Sequence, residues 1–453
     1  MSSDYRLIRG ATTIYLNNST GAAVPGGNLG APTTTPLMVV ADWAPETAEP
    51  QVIVGNADGA LIDLDYAPIK ETITLLAVGS SSNNLFAIER AVRQMFRGRA
   101  DQPCVLLAQP DGAANPVSYL IASAKVQLTP AENSDSPGEG APICYLKLAI
   151  VRSAHGGASA LATLASAVTV SNQGTGATPN LISLGALAGD RAYEGQPLNI
   201  TVTKPTSQSA QQLLLASVAS RTFETITSAV TTSSASGVTF TAGSSISMAA
   251  LRTTPKLKLH IVARVKTLTN PANAQLQARV LTPGSVATLW AGPWVSLGSN
   301  TTAQLVDLSE TGLDMLRVPI AGTPNVIIQI AIRSISGSVT VTLDYVEALL
   351  AYDVCLVDSG GAGLGASQRY ELAGAQNLAG GPWLPLVPES ALICDGSGNP
   401  LKTARILGTL PRAYVGAALY VAWIDTNGAH TNTDTTTVTI QHAPLYASLR
   451  GIG

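Results

Sequence analysis

Histidine, cysteine and carboxylate side chains carry most protein chemistry, and in this chain they are few and scattered. The four histidines, His155, His260, His430 and His442, form no HxH or HExxH pair, so no metal cluster is expected. The four cysteines, Cys104, Cys144, Cys355 and Cys394, contain no CxxC pair. Cys104 (PCVLLA) and Cys144 (ICYLKL) sit in apolar runs and read as buried free thiols. Two groups could supply oxygen ligands to calcium: Asp58, Asp63 and Asp65 around an NADG turn, and Asp425, Asn427 and Asp434 around DTNGAHTNTD. Neither has EF-hand spacing, and Asp-Gly or Asn-Gly between strands is a hairpin signature, so turns are the preferred reading. Gly360 to Ala366 (GGAGLGA) contains GxGxxA after VCLVD. The residues that follow are broken by glycines where a dinucleotide site needs a helix. With no GxSxG elbow in strand–helix context, neither catalytic residues nor a cofactor is assigned.

Two sets of residues remain as candidate surfaces. Trp290 and Trp294 lie in WAGPW, and Lys258 and His260 lie on the polar side of KLKLHIVARVK. Together they are candidate glycan contacts, because aromatic rings stack on sugar faces while polar neighbours fix orientation. The plainer reading packs at least one tryptophan into the core and leaves the histidine solvated or buried. Arg90, Arg93 and Arg97 form a stripe on an amphipathic segment and are a candidate protein interface. A solvated helix face is the plainer reading there.

Composition narrows the setting. A chain of 453 residues has room for two to four domains. Hydrophobic residues make up 46% and charged residues only 12%, with mean hydropathy +0.25. The longest strongly apolar run, Tyr414 to Ile424, is well short of the roughly 20 residues that span a bilayer. The start, MSSDYRLIRG, has no apolar h-region, so no secretory signal is expected. A net charge of −3 gives no electrostatic case for nucleic acid or anionic lipid. A surface so poor in charge is expected to be partly covered in an oligomer.

The elements that must position these residues are mostly strands. Leu257, Leu259, Ile261, Ala263 and Val265 alternate with Lys256, Lys258, His260, Arg264 and Lys266, which predicts a half-buried strand. The same period recurs at Val326, Ile328, Ile330 and Ile332, and at Val339, Val341, Leu343 and Tyr345. Asp58-Gly59, Ser336-Gly337, Asp395-Gly396 and Asn427-Gly428 mark turns. One segment departs: Leu85, Ile88, Val92, Met95 and Phe96 follow helical spacing, with Ser82 to Asn84 as caps and Gly98 as C′. The predicted fold is therefore mainly β: several β-sandwiches, with one amphipathic helix in the N-terminal domain.

Small, polar stretches divide the chain into blocks: 1–156, a linker 157–189, a central block 190–357 and a last block 358–453. The central block has about ten strand-like runs. In pattern it resembles jelly-roll or galactose-binding-like sandwiches of carbohydrate-binding modules. The outer blocks resemble the distal tail proteins of siphophages. In the first, DLDYAPIKETITLLAVG leads through a polar loop to LFAIERAVRQMFRGR, then to PVSYLIASAKVQLTPAE and ICYLKLAIVRSAH. In the last, GPWLPLVPESALICDGSGNP precedes TTTVTIQHAPLYASL, with Pro388, Glu389 and Ser390 where that family has Gly and Asn.

The resemblance implies a non-enzymatic virion component, a tail-tip subunit made in the host cytoplasm. It further implies a ring, usually a hexamer, in contact with other tail proteins, and appended sandwiches that bind host glycans. No membrane insertion goes with it. A monomeric carbohydrate-binding or cell-surface sandwich is the alternative, and a glycan depolymerase a third.

Overall fold

The structure is a computed structural model. It describes residues 4–16, 38–47, 51–54, 61–65, 67–78, 82–97, 103–110, 116–130, 143–158, 160–171, 180–189, 195–206, 210–225, 229–247, 256–283, 287–298, 304–309, 325–360, 363–377, 383–424 and 434–446. The turn positions Asp58-Gly59 and Asn427-Gly428, and the predicted C′ residue Gly98, lie outside them.

The N-terminal part is a nine-stranded antiparallel sheet. Its main path runs Thr12–Tyr15, Asp4–Arg9, Cys104–Gln109, Val117–Pro130, Ile143–Arg152, Ile69–Val78 and Met38–Asp42. Alternation sets its two faces. In Ile143–Arg152 the residues Cys144, Leu146, Leu148 and Ile150 turn inward, and Ile143, Tyr145, Lys147 and Ala149 turn outward. The helix Ser82–Phe96 covers the inward face through Leu85, Ile88, Val92 and Met95, as its spacing predicts. A separate hairpin pairs Gln51–Val54 with Leu61–Asp65.

The rest of the chain forms two sandwiches that share a sheet. That sheet has eight strands, with main path Leu181–Ser183, Ala418–Ile424, Gln212–Thr225, Val339–Asp358, Lys258–Thr269 and Gln304–Asp307. Val339–Asp358 is 20 residues long and pairs with Gln212–Thr225 from Tyr345 to Asp358. Its first half packs on a five-stranded sheet containing Val238–Ser247, Asn325–Ser334 and Ala274–Leu281, around Ile261, Ala263, Leu276, Ile328, Ile330 and Val341. Its second half packs on a seven-stranded sheet containing Ala162–Ser171, Thr435–His442, Gln196–Thr203, Arg369–Asn377 and Trp383–Cys394. Trp423, Tyr370, Leu213, Val357 and Ile440 fill that second core.

Two local expectations meet a different outcome. The stretch 157–189, read as a linker, contributes Ala162–Ser171 to the seven-stranded sheet and Leu181–Ser183 to the eight-stranded one. Its residues are mostly small, yet Leu164, Val168 and Val170 recur at even positions and pack on the second core. The strand Lys258–Thr269 is not half-buried over its first half: Leu259 through Val265 are all buried. Leu259, Ile261 and Ala263 face the five-stranded sheet, and His260, Val262 and Arg264 lie on a second covered face with Leu349, Tyr345 and Tyr420. No described helix is long and apolar enough to cross a membrane. Most of the apolar run 414–424 is the buried strand Ala418–Ile424.

Candidate functional surfaces

The helix projects Arg90, Arg93 and Arg97 away from the sheet, and all three are exposed. Arg93 donates to Glu89 at 2.6 Å, and the Arg9 guanidinium donates to the Gln94 carbonyl at 2.7 Å. A surface pair of this kind adds little stability, so the stripe is not explained by holding the helix together. Phe86 stands beside it at 53% exposure, and together they line a shallow hollow. The far face of the sheet is similar in kind. Ile143 and Tyr145 are 38% and 39% exposed, with exposed Lys147 next along the face and exposed Lys125 and Lys70 further on, opposite Ala149 and Val151.

The four candidate glycan residues do not form one surface. Trp290 and Trp294 belong to the five-stranded side of the central sandwich. Trp290 is half-buried against the core, and a Cβ on Gly292 would fall 2.5 Å from its ring. Trp294 is half-buried with the Arg333 guanidinium 4.3 Å from its ring centroid, so one ring face is already taken. Lys258 and His260 lie on the eight-stranded sheet, on the face turned away from those rings. His260 is buried, with Nδ1 3.7 Å from Asp307. It is enclosed, not displayed, because that face is covered.

Of the candidate calcium ligands, the structure describes the side chain of Asp434 alone. Asp58, Asp425 and Asn427, and the side chains of Asp63 and Asp65, lie outside the described residues. Asp434 is buried and accepts from Thr206 Oγ1 at 2.7 Å and Trp423 Nε1 at 3.0 Å, a structural acceptor. Among the described residues no group of three His, Cys, Asp or Glu could hold a metal. The strand Arg369–Asn377 follows the 360–366 glycines, in place of the helix a dinucleotide needs. The four cysteines are free and buried, and burial pushes the Cys104 thiol up to about 12. His430 lies outside the described residues.

Three ionic clusters went unread in the sequence. Arg152 reaches Glu71 at 2.6 Å and the Glu46 carbonyl at 2.7 Å, and lies 4.2 Å over the Tyr119 ring. Glu347 accepts from Arg221 Nε at 3.0 Å and from the Tyr420 hydroxyl. Burial raises its pKa, while Arg221 and Tyr420 oppose the shift. Asp353 accepts from Tyr414 at 2.9 Å and from the Arg412 amide at 3.3 Å. Nearby, Glu389 accepts from the Leu410 amide at 2.7 Å and borders a groove lined by Pro197, Pro385, Pro388, Ile406 and Arg412. Burial raises the pKa of both Asp353 and Glu389. Paired carboxylates beside a groove are what glycoside cleavage requires, but each of these is tied to the turn 409–414. The available signal was register: Arg152 shares its strand face with Leu146, Leu148 and Ile150, where a charge needs a partner.

No family model matches this sequence, and no curated protein matches it. Among solved structures the chain is similar to a chain of the phage P2 baseplate, at 9% identity over 76% of this chain and 98% of that one, TM-score 0.24. It is similar to the SPP1 Dit protein, a phage hub adsorption component, at 9% identity over 75% and 98%, TM-score 0.19. It is also similar to the VP2 subviral particle of infectious bursal disease virus, at 9% identity over 98% and 77%, TM-score 0.18. At these TM-scores the superpositions carry no argument about function.

Proposed function

We propose that this chain is a structural subunit of a tailed-phage tail tip, with a mechanical role and no catalysis. One observation carries the reading: the N-terminal unit leaves two faces uncovered, and both combine basic and apolar side chains. These are the helix face with Phe86, Arg90, Arg93 and Arg97, and the sheet face with Ile143, Tyr145 and Lys147. Two different uncovered faces on one unit suit a head-to-tail contact that buries the apolar Phe86, Ile143 and Tyr145 and leaves the basic side chains at its rim, and such a contact closes into a ring when the rotation permits. The ring, of six copies as the resemblance implies, would sit in the virion tail against other tail proteins. The central sandwich is the outward module, and Trp290 is its remaining candidate for host-glycan contact.

Sedimentation velocity over a concentration series tests this. The reading predicts a discrete ring-sized species for the wild type and loss of it in a Phe86→Glu variant. A variant that assembles as the wild type does removes the helix face from the interface.

A further inference from the structure

One histidine stands at the base of the joint between the N-terminal sheet and the C-terminal sandwich. The strand Leu445–Tyr446 pairs with Gly156 and Gly157, and Gly157 and Ala158 pair in turn with Ser118 and Val117. Against Leu445 lies Gly189, with φ +88, where a Cβ would fall 2.7 Å from the Leu445 oxygen. Its neighbour Ala188 turns its carbonyl oxygen toward two buried side chains. Gln196 Nε2 donates to it at 2.7 Å, and His442 Nε2 lies 3.3 Å away. The other ring nitrogen, Nδ1, lies 3.2 Å from the Ala162 carbonyl oxygen. His442 is 1% exposed and Gln196 is fully buried, with the Gln196 Oε1 unpartnered.

A neutral imidazole has one N–H and cannot donate to both carbonyls; an imidazolium can. The imidazolium would, however, be a buried cation, and the described strands and segments around it supply no counter-charge. The strands Ala162–Ser171, Gln196–Thr203 and Thr435–His442 and the segments 184–189 and 443–446 contain no Asp, Glu, Lys or Arg. Tyr446 is the one other titratable side chain on them. His155, buried just before Gly156, sits on the N-terminal side of the joint. Asp190, Arg191 and Glu194 lie outside the described residues. Burial lowers the His442 pKa, with the two carbonyls acting against it.

We propose that His442 is a proton-sensitive clasp: the neutral ring holds the joint closed, and protonation opens it and frees the Leu445–Tyr446 strand. The sign follows from linkage. Opening returns the ring to water and its ordinary proton affinity, so the open state binds more protons. Closure is fully favoured above about pH 6.5 and weakens as the pH falls below it. Glu347, Asp353 and Glu389 cannot mimic this effect. Their raised values strengthen the fold as pH falls.

Hydrogen exchange of the 154–160 and 440–446 peptides, corrected for intrinsic rates, tests the clasp on the full chain. The wild type should open more at about pH 5 than at about pH 7, by up to about tenfold per unit for one linked proton. His442→Asn, which keeps a polar amide that does not titrate, should show no such dependence while His155 remains. Unchanged wild-type protection, or the same pH dependence in the variant, overturns the proposal. If the variant does not fold, the wild-type ring titration decides: His442 titrating below about 6.5 supports the clasp, and at or above that value overturns it.

Discussion

The nine-stranded and eight-stranded sheets are made of similar residues but meet different surroundings. In the first, Cys144, Leu146 and Leu148 pack under the helix while Tyr145 and Lys147 face outward. In the second, Leu350 and Ala348 face one core, and Leu349, Val262 and Tyr420 face another. The consequence is electrostatic. The open sheet can carry Lys70, Lys125 and Lys147 in water at no desolvation cost. The covered sheet holds charge only where a partner neutralises it, as Arg221 does for Glu347 and Asp344 for Arg264. One sheet therefore keeps an open face, and the shared sheet is covered on both sides.

Breaking a pair in the covered sheet should have the largest effect. Glu347→Ala leaves Arg221 buried without its carboxylate and Tyr420 without an acceptor, and should cost about 3–5 kcal/mol. Urea unfolding followed by circular dichroism measures this. Replacing both partners, with Glu347→Leu and Arg221→Met, should recover much of the loss, because the pair itself adds little over apolar packing. Adjacent residues on one strand sharpen the contrast. Leu146→Ala should cost about 2–5 kcal/mol, whereas Tyr145→Thr on the open face should stay within about 0.5 kcal/mol. Comparable losses for the two would mean that the outer face is not open.

A smaller effect concerns Asp353, whose pKa burial raises. Its contribution is fully present below the unfolded value of about 3.9 and declines as pH rises through the folded value. The stability difference between Asp353→Asn and wild type should therefore move in the variant's favour as pH rises from about 4 to about 7. A difference flat with pH contradicts the burial of that carboxylate. The smallest stability effect is at the helix. Arg90→Ala and Arg97→Ala should each leave the unfolding free energy within about 0.5 kcal/mol.

The open sheet and its helix were legible because each has one wet face. The alternation in ICYLKLAIV and the spacing of Leu85, Ile88, Val92 and Met95 report which side is dry. The covered sheet was legible only in part. His260 and Arg264 alternate with apolar residues just as Lys147 does, and nothing local distinguishes a charge facing water from one facing Asp307 or Asp344. The strand Ala162–Ser171 was missed because its period-two signal rests on Leu164, Val168 and Val170 alone, among alanine, serine and threonine. Its register against Thr435–His442 also shifts twice, with Ala167 at φ +50. The Asp353 and Glu389 cluster brings together residues from distant strands and the turn 409–414. No spacing in the sequence records that meeting.

The measurement that tests the central claim most directly is the mass of the purified chain by light scattering, paired with negative-stain imaging. A closed ring of several 46.4 kDa copies around a channel is the predicted result. A compact monomer at every concentration, with and without its tail partners, would contradict it.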